Sequence, residues 1–345
     1  LSTAAFAQPA DPKFDAIKAK RDRGEQLTSE EREYGQSVLA QRNKSQGARK
    51  NTDFAKKNPP RESTGLVPLP DLAAKTHQGE AGGLYPGGKN TPLPTHAAAG
   101  LKLGRAIAPL DADGKPAPDG KIVLLSVGMS NATQEFSAFQ RLATADPALN
   151  PRLVIVDGAQ GGQTAAVTAM ADANYWTVPG QRLKAAGVSA AQVQVVWVKQ
   201  ANAGPTQPFP TEARKLQADI AQTLRNLTAK FPNLKIAYLS SRTYGGYAAT
   251  PLNPEPHAYE TGFAVKWLIA DQIAGKDSAP TTPWLAWGPY LWTDGTKGRA
   301  DGFTWTRDDC AADGTHPSDA GRRKVAELLL KFLKNEPTAQ PWFVR

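Results

Sequence analysis

Five short apolar runs, separated by polar helical stretches, most constrain the fold of this 345-residue chain. They read KIVLLSV, RLVIVDG, VQVVWV, LKIAYLS and PWLAWG, and all lie after residue 120. Continuous apolar runs of this length are typical of strands buried on both faces. Helical patterns at 211–230, 258–273 and 319–334 alternate with the later runs, as in parallel sheets covered on both sides. The sequence therefore predicts an α/β domain over residues 121–345.

The first 120 residues have a different pattern. Residues 8–58 are polar and mostly helix-like, and Thr28 and Glu31 have the spacing of a capping box, so we expect an N-terminal extension of one or two surface helices. Residues 59–120 are punctuated by Pro and Gly, as in NPPRESTGLVPLPDL, and show no sustained period. A structureless loop of this length is improbable in a compact domain. We expect this segment to wrap across the α/β domain or to link the helices to it.

The N-terminal residues LSTAAFAQPADP resemble the end of a signal peptide. Ala5 and Ala7 match the small-x-small rule for cleavage before Gln8. Residues 1–7 are therefore predicted to be a signal-peptide remnant, and the protein is predicted to be secreted or periplasmic; an ordinary N-terminus is the alternative. No run of eighteen apolar residues occurs, so no membrane span is predicted.

The charge balance favours anionic partners. The net charge of +9 would attract uronic-acid glycans, cell-wall polymers, nucleic acid or acidic membranes. The basic residues are scattered, with the densest group between Arg42 and Arg61, little aromatic interleaving and no nucleic-acid motif, so nucleic-acid binding is not expected. The single cysteine, Cys310, excludes an intrachain disulfide, and no Cys/His spacing suits zinc.

Polar and small residues follow the first three apolar runs, where a parallel sheet forms its ligand crevice. Ser130 follows the first run; its hydroxyl either caps the next helix or is exposed beside helix amides that would stabilise an oxyanion. Gly161 and Gly162 follow the second run and allow backbone amides to approach a ligand, or form a plain turn. Asn202 follows the third run as an amide donor or a turn residue.

Other polar side chains near these strand ends are candidate substrate contacts. Lys199 either forms a salt bridge or adds positive potential over an anionic substrate. The long loop after the fourth run carries Arg242, Tyr244 and Tyr247, which would contact sugars or acidic groups, with packing as the alternative. Asn131, next to the serine, is a further candidate for substrate binding.

The segment DGTHPSDAGRR, residues 313–323, precedes the last helical pattern. Pro317 disfavours helical backbone angles at His316, so the imidazole need not be buried in the packing of the helix that follows. A histidine in such a turn can take a proton from a serine hydroxyl, while Asp313 fixes its tautomer. A turn aspartate beside an exposed histidine is the alternative.

Together these blocks resemble the SGNH hydrolase superfamily, the GDSL-like esterases and lipases. That family has a serine after the first strand, a glycine after the second, an asparagine after the third and a D-x-x-H pair near the C-terminus. The matching positions, in the same order, are Ser130, Gly162, Asn202, Asp313 and His316. The resemblance covers about residues 121–335. It implies a three-layer α/β/α sandwich with a five-stranded parallel sheet in flavodoxin-like order.

Two blocks depart from the family pattern. The usual G-D-S is Gly128-Met129-Ser130 here, and GMSN is closer to the G-Q-S-N of the carbohydrate acetylesterases in this superfamily. The usual G-x-N-D of the third block is replaced by QANA, in which Ala203 follows Asn202.

The resemblance implies a secreted serine esterase. Ser130 would be the nucleophile, His316 the general base and then acid, and Asp313 the residue that orients it. The amides of Ser130 and Gly162, with the side chain of Asn202, would bind the oxyanion. Such an enzyme needs no metal or organic cofactor, and the expected substrate is an O-acetyl ester of a carbohydrate such as an acidic glycan.

Three alternatives stay open at this point. The first is a lipase or arylesterase that acts on esters other than those of carbohydrates. The second is a glycan-binding protein whose site has degenerated, and the third is a polyanion adhesion protein that binds through residues 12–61.

Overall fold

The protein folds as two compact units. The computed structural model describes residues 11–23, 25–276, 278–280 and 283–345, so the predicted signal-peptide remnant lies outside the described residues. The first unit ends at Lys57, and the second spans Asn58–Arg345. The segment predicted at 59–120 therefore belongs to the same unit as the α/β domain.

The first unit contains two helices, α1 (Pro12–Asp22) and α2 (Ser29–Lys57). The predicted capping box is present, because the Glu31 amide donates to Thr28 Oγ1 at 3.1 Å and the Thr28 amide donates to Glu31 Oε2 at 2.9 Å. Ile17 of α1 is buried and faces α2. α2 thus begins where the capping-box spacing indicates.

The second unit has nine helices and a two-stranded hairpin in its described residues. The hairpin pairs Thr76–His77 with Glu80–Ala81. The helices are α3 (Leu69–Leu72), α4 (Pro94–Arg105), α5 (Ser130–Thr144), α6 (Ala165–Thr168), α7 (Thr177–Ala185), α8 (Thr211–Lys230), α9 (His257–Ile273), α10 (Asp319–Asn335) and α11 (Gln340–Phe343). Short 3-10 turns lie at Pro86–Gly88, Asn174–Trp176, Ala190–Gln192, Gly295–Lys297 and Arg307–Asp309.

A five-stranded parallel sheet forms the centre of this unit. Its strands are β1 (Ile122–Gly128), β2 (Leu153–Val156), β3 (Val193–Lys199), β4 (Ile236–Leu239) and β5 (Trp284–Trp287), in the order β2-β1-β3-β4-β5. All pairings are parallel, and every residue of β1, β3, β4 and β5 is buried. The five apolar runs thus form the five predicted strands, because both faces of the sheet are covered.

Helices cover the two faces. The chain moves from β1 to β2 through α5, and in the opposite direction from β3 to β5 through α8 and α9. Because such crossovers are right-handed, these two sets of helices lie on opposite faces of the sheet. α10 packs against α5, and α8 packs against α9. The predicted three-layer α/β/α sandwich in flavodoxin-like order is therefore confirmed.

The Pro/Gly-rich segment wraps the free edge of the sheet at β5. The indole of Trp284 donates to the His96 carbonyl at 3.1 Å, and the His96 ring stacks on it with centroids 4.8 Å apart. The indole of Trp287 donates to the Leu84 carbonyl at 2.6 Å. A Cβ at Gly100 would lie 2.2 Å from the Trp284 ring, so α4 approaches this closely only with glycine there. These contacts cover β5, an edge strand that would otherwise be open to pairing with another chain.

Within the described residues, no helix combines the length and the apolar character needed to cross a bilayer.

Candidate active site

Ser130 lies at the first turn of α5, directly after β1. Met129 has extended backbone angles and occupies the N-cap position, and no side chain caps the helix there. The serine hydroxyl is therefore not used for capping, which was the alternative to an exposed hydroxyl. Its Oγ lies 2.8 Å from Nε2 of His316, a residue 186 positions away in the chain.

His316 is held by Asp313 in the turn before α10. Asp313 Oδ2 lies 2.5 Å from His316 Nδ1, while Oδ1 accepts from the backbone amides of Thr315 and His316 at 3.0 and 2.9 Å. Burial, the largest influence, raises the pKa of Asp313, but these hydrogen bonds together lower it to about 2. The carboxylate is therefore ionised at neutral pH and can orient the ring with its proton on Nδ1.

Arg307 holds the turn that carries Asp313 and His316 through hydrogen bonds to its backbone. Its guanidinium donates to three successive carbonyls, those of residues 310, 311 and 312, at 3.1, 2.8 and 2.9 Å. Ser318 caps α10 by accepting from the Gly321 amide at 3.3 Å. The chain on both sides of Asp313 and His316 is thus held by side-chain hydrogen bonds.

Two other elements support the same turn. Asn131 of α5 is buried and donates from Nδ2 to the Thr315 carbonyl at 2.8 Å. The Ala249 amide donates to the Asp313 carbonyl at 2.8 Å, and a Cβ at Gly314, where φ is +64°, would lie 1.7 Å from the Tyr247 carbonyl oxygen. The predicted substrate contact Asn131 therefore links the helix of the serine to the loop of the histidine.

The glycine turn after β2 borders Ser130. A Cβ built at Gly161 would lie 3.8 Å from Ser130 Cβ, and Gly162 has φ of +76° with no atom within 4 Å of its Cβ position. The Gln160 amide donates to the Gly128 carbonyl at 3.0 Å, which fixes this turn against the end of β1. Gly161 thus lies beside the serine, and Gly162, the next residue, faces open space.

Asn202 has different partners from those expected. Its Nδ2 donates to Asp219 Oδ2 at 2.7 Å, and its Oδ1 accepts from the Ala166 amide at 3.0 Å. An amide held at both ends in this way links α6 to α8. An amide nitrogen carries two protons, so the bond to Asp219 leaves one for an oxyanion, and the expected role of Asn202 stays a prediction.

Lys199 does not face a substrate. Its Nζ lies 2.6 and 2.5 Å from the two carboxylate oxygens of Glu135 on α5, and the two side chains are 1% and 0% exposed. Burial lowers the pKa of Lys199 to about 8 although the Glu135 carboxylate opposes this. Lys199 therefore forms a salt bridge, which was the alternative to a substrate contact, because a fully enclosed ammonium cannot contact a ligand.

Arg242 and Tyr244 are also buried, so their expected substrate contacts are corrected. Arg242 is 4% exposed, and burial lowers the pKa of its guanidinium. The Tyr244 hydroxyl donates to the Arg61 carbonyl at 2.7 Å. The Tyr247 hydroxyl donates to Glu62 Oε2 at 3.1 Å. The loop after β4 therefore packs on the wrapping segment and supports the histidine turn, as the packing alternative proposed.

Two residues at the site have roles that the sequence reading missed. Arg307 gave no signal, because its partners are backbone carbonyls. Asp157 is the first residue after β2, and Ser126, its partner at 2.5 Å, is a polar residue inside β1. The rule that identified the glycines, inspection of each strand end, applies equally to Asp157.

The described part of the chain contains no group of three or more His, Cys, Asp and Glu side chains that could hold a metal ion. The candidate site is built from Ser130, His316, Asp313 and the neighbouring backbone.

Comparison with known proteins gives only distant similarities. No family model matches the chain, and no curated protein matches it. Among solved structures, the protein YxiM of Bacillus subtilis is 12% identical with a TM-score of 0.37, and the match covers 64% of this chain and 58% of that one. A carbohydrate esterase family 3 protein from Talaromyces cellulolyticus is 15% identical with a TM-score of 0.36, covering 62% of this chain and 98% of that one.

A lipopolysaccharide acetyltransferase periplasmic domain from Salmonella ser. Paratyphi A is 12% identical with a TM-score of 0.35, covering 70% of this chain and 95% of that one. The match to YxiM, described above, spans less than two thirds of the length of that protein. At these identities and scores, the functional assignment rests on the residues of this chain.

Proposed function

We propose that this protein is a serine esterase that hydrolyses carboxylic (O-acyl) esters. The observation that carries the proposal is the chain of two hydrogen bonds from Ser130 Oγ through the His316 ring to the Asp313 carboxylate. Ser130 and His316 are 186 positions apart in the sequence and meet where α5 and α10 pack against each other. A serine hydroxyl needs such a base because it is a weak nucleophile alone.

The reaction follows from these contacts. His316 Nε2 takes the Ser130 proton while Oγ forms a bond to the ester carbonyl carbon, and the negative charge moves to the carbonyl oxygen. His316 then returns that proton to the alcohol oxygen as the carbon–oxygen bond breaks, which leaves an acyl-serine. A water molecule, deprotonated by His316, attacks the acyl carbon. The bond from that carbon to Oγ then breaks, His316 returns the proton to Oγ, and the acid leaves.

Backbone amides stabilise the developing oxyanion in this proposal. The amide of Ser130 lies at the start of α5 and belongs to the turn of helix amides that have no partner inside the helix. The amide of Gly162 follows Gly161 in the neighbouring turn, and Asn202 Nδ2 has a second proton for the oxyanion besides the one that bonds Asp219. Each such donor contributes on the order of a hundredfold or more to turnover.

The finer assignment concerns the substrate. We propose O-acetyl groups on carbohydrate, because the serine block reads G-x-S-N as in the carbohydrate acetylesterases, and because the net charge of +9 favours an acidic glycan. The predicted cleavage site before Gln8 supports a secreted or periplasmic location. Such substrates are exposed polymers, which an exported enzyme would meet.

The direct test compares p-nitrophenyl acetate hydrolysis by the wild type, Ser130→Ala and Ser189→Ala. Ser189 caps a 3-10 turn, so its removal controls for the loss of a serine hydroxyl. We expect Ser130→Ala alone to lose hydrolysis and labelling by a fluorophosphonate. Equal rates in the wild type and Ser130→Ala would end the proposal.

Substrate choice is tested separately. Release of acetate from acetylated polysaccharides is compared with hydrolysis of p-nitrophenyl esters of increasing chain length. A preference for long acyl chains would replace the carbohydrate assignment with a lipase, and binding of a glycan without covalent labelling would indicate a binding protein.

A further inference from the structure

The Asp157 carboxylate joins three elements around the candidate site without touching Ser130, His316 or Asp313. Its Oδ1 accepts from Ser126 Oγ of β1 at 2.5 Å and from the Ala159 amide at 3.1 Å. Its Oδ2 accepts from Thr133 Oγ1 and, at 3.2 Å, from Ser137 Oγ, and both of these residues lie on α5. One nearly buried carboxylate thus connects β1, the helix that begins at Ser130, and the turn after β2.

That turn, residues 157–162, is hereafter the glycine loop. Ser126 Oγ also accepts from the amides of Gly158 and Ala159 at 3.1 and 3.3 Å, so the start of the loop is held twice by the same hydroxyl. A Cβ at Gly158 would lie 2.6 Å from the Ser126 carbonyl oxygen, which shows how closely the loop lies on β1. The loop is fixed at Asp157 and ends beside Ser130.

The carbonyl side of the loop is held by a second group. Arg182 of α7 donates from Nη1 to the carbonyls of Asp157 and Ala159 at 2.7 and 3.0 Å. The same Nη1 lies 3.5 Å from Asp157 Oδ2. The Gln160 amide, which donates to the Gly128 carbonyl, holds the loop against β1, whereas the Asp157 side chain connects the loop to α5.

We propose that Asp157 is a positioning residue that fixes the glycine loop against α5, so that a loop amide is aimed at the oxyanion formed at Ser130. The inference rests on the proposed esterase function. A donor contributes most when it is aligned with the charge that develops in the transition state, and a shift of about 1 Å can cost on the order of a hundredfold in rate. Loss of Asp157 should therefore lower kcat and leave ground-state binding, and so KM, nearly unchanged.

The experiment compares Asp157→Ala with Asp157→Asn and with Asp146→Ala. Asparagine keeps the size of the side chain and can still bond the hydroxyls of Ser126 and Thr133, so it should restore part of the activity. Asp146 is the matched control, because it is also a largely buried carboxylate that accepts from a lysine and a backbone amide, but it lies beyond the far end of α5.

Each variant is tested for kcat, for KM and for binding of a trifluoromethyl ketone, which forms a reversible tetrahedral adduct with an active serine. We expect Asp157→Ala to lose about 10- to 100-fold in kcat, with KM within about twofold. Affinity for the ketone should fall by the same factor as kcat/KM. Asp157→Asn should lose less, and Asp146→Ala should keep kcat even if its stability falls.

The outcomes separate the two proposals. If the wild type shows no hydrolysis that depends on Ser130, the esterase assignment fails and the role of Asp157 fails with it. If Ser130-dependent hydrolysis is present but Asp157→Ala keeps wild-type kcat, raises KM alone or binds the ketone normally, only the positioning role is overturned. If Asp157→Ala does not fold, the same comparison is made with Asp157→Asn.

Discussion

The substitution Asp313→Asn tests the tautomer on which the proposed chemistry depends. In the wild type, Oδ1 of Asp313 accepts from two backbone amides and Oδ2 faces His316 Nδ1 at 2.5 Å. An asparagine must keep its oxygen toward the two amides, because its nitrogen cannot accept from them. The nitrogen then faces Nδ1 and donates to it, so the neutral ring carries its proton on Nε2.

A protonated Nε2 cannot accept the proton of Ser130, whose Oγ lies 2.8 Å away. We therefore expect kcat to fall by about four orders of magnitude, which corresponds to about 5.5 kcal/mol, with little change in KM. Initial rates with p-nitrophenyl acetate at pH 7 measure this, and Ser130→Ala gives the lower limit of the rate.

Asp319→Asn is the matched control for this change. Asp319 lies three residues after His316, its side chain is 97% exposed, and it bonds only Arg322. It should keep wild-type turnover. If Asp313→Asn kept more than about a tenth of wild-type kcat, or if both variants lost turnover equally, the reasoning about the tautomer would be refuted.

Two further predictions concern stability. Glu135→Gln should lower the free energy of unfolding by about 3 to 5 kcal/mol in urea denaturation at pH 7, because it leaves the ammonium of Lys199 buried without its charged partner. Replacing both residues, by Leu and Met, should recover most of that loss. A loss below about 0.5 kcal/mol in Glu135→Gln would contradict this. Folding lowers the pKa of Asp313 from about 3.9 to about 2. Its contribution to stability is therefore complete above about pH 5 and is lost as the pH falls through 2. The difference in the free energy of unfolding between the wild type and Asp313→Asn should be smaller at pH 3 than at pH 5, and a difference that grows toward low pH would contradict a carboxylate stabilised by its hydrogen bonds.

The strands and main helices could be predicted from the sequence because their signals are local. A strand buried on both faces must be apolar at every position, as VQVVWV is, and the predicted helix at 211–230 coincides with α8. Parallel strands place their carboxyl ends at one edge, which is why inspection of strand ends found Ser130 and the glycine turn.

The wrapping segment could not be predicted in the same way. Its conformation depends on contacts with distant residues, such as those of Leu84 with Trp287 and His96 with Trp284. No periodicity within residues 59–120 encodes such partners, because each is set by the position of the sheet edge. The sequence could indicate only that a structureless loop of this length was improbable.

The sequence also could not predict which way a polar side chain at a strand end points. Lys199 ends β3, and Asn202 and Arg242 follow β3 and β4, yet each of these side chains is buried. In an extended segment successive side chains point to opposite faces, so a shift of one position along the chain decides whether a side chain faces the crevice or a covering helix. The proposed positioning role of Asp157 could not be predicted either, because its three hydroxyl partners lie on two other elements, β1 and α5.

The sequence by itself determined the α/β class, the five strands and the short segments in which Ser130, Asp313 and His316 occur, since burial and turn chemistry act over a few residues. Only the tertiary structure decided that the serine and the histidine meet at 2.8 Å, and which neighbouring polar groups are already paired with other residues. The physical reason is that a hydrogen bond requires two groups in one place and orientation, and for residues 186 positions apart that condition is set by the packing of the whole domain.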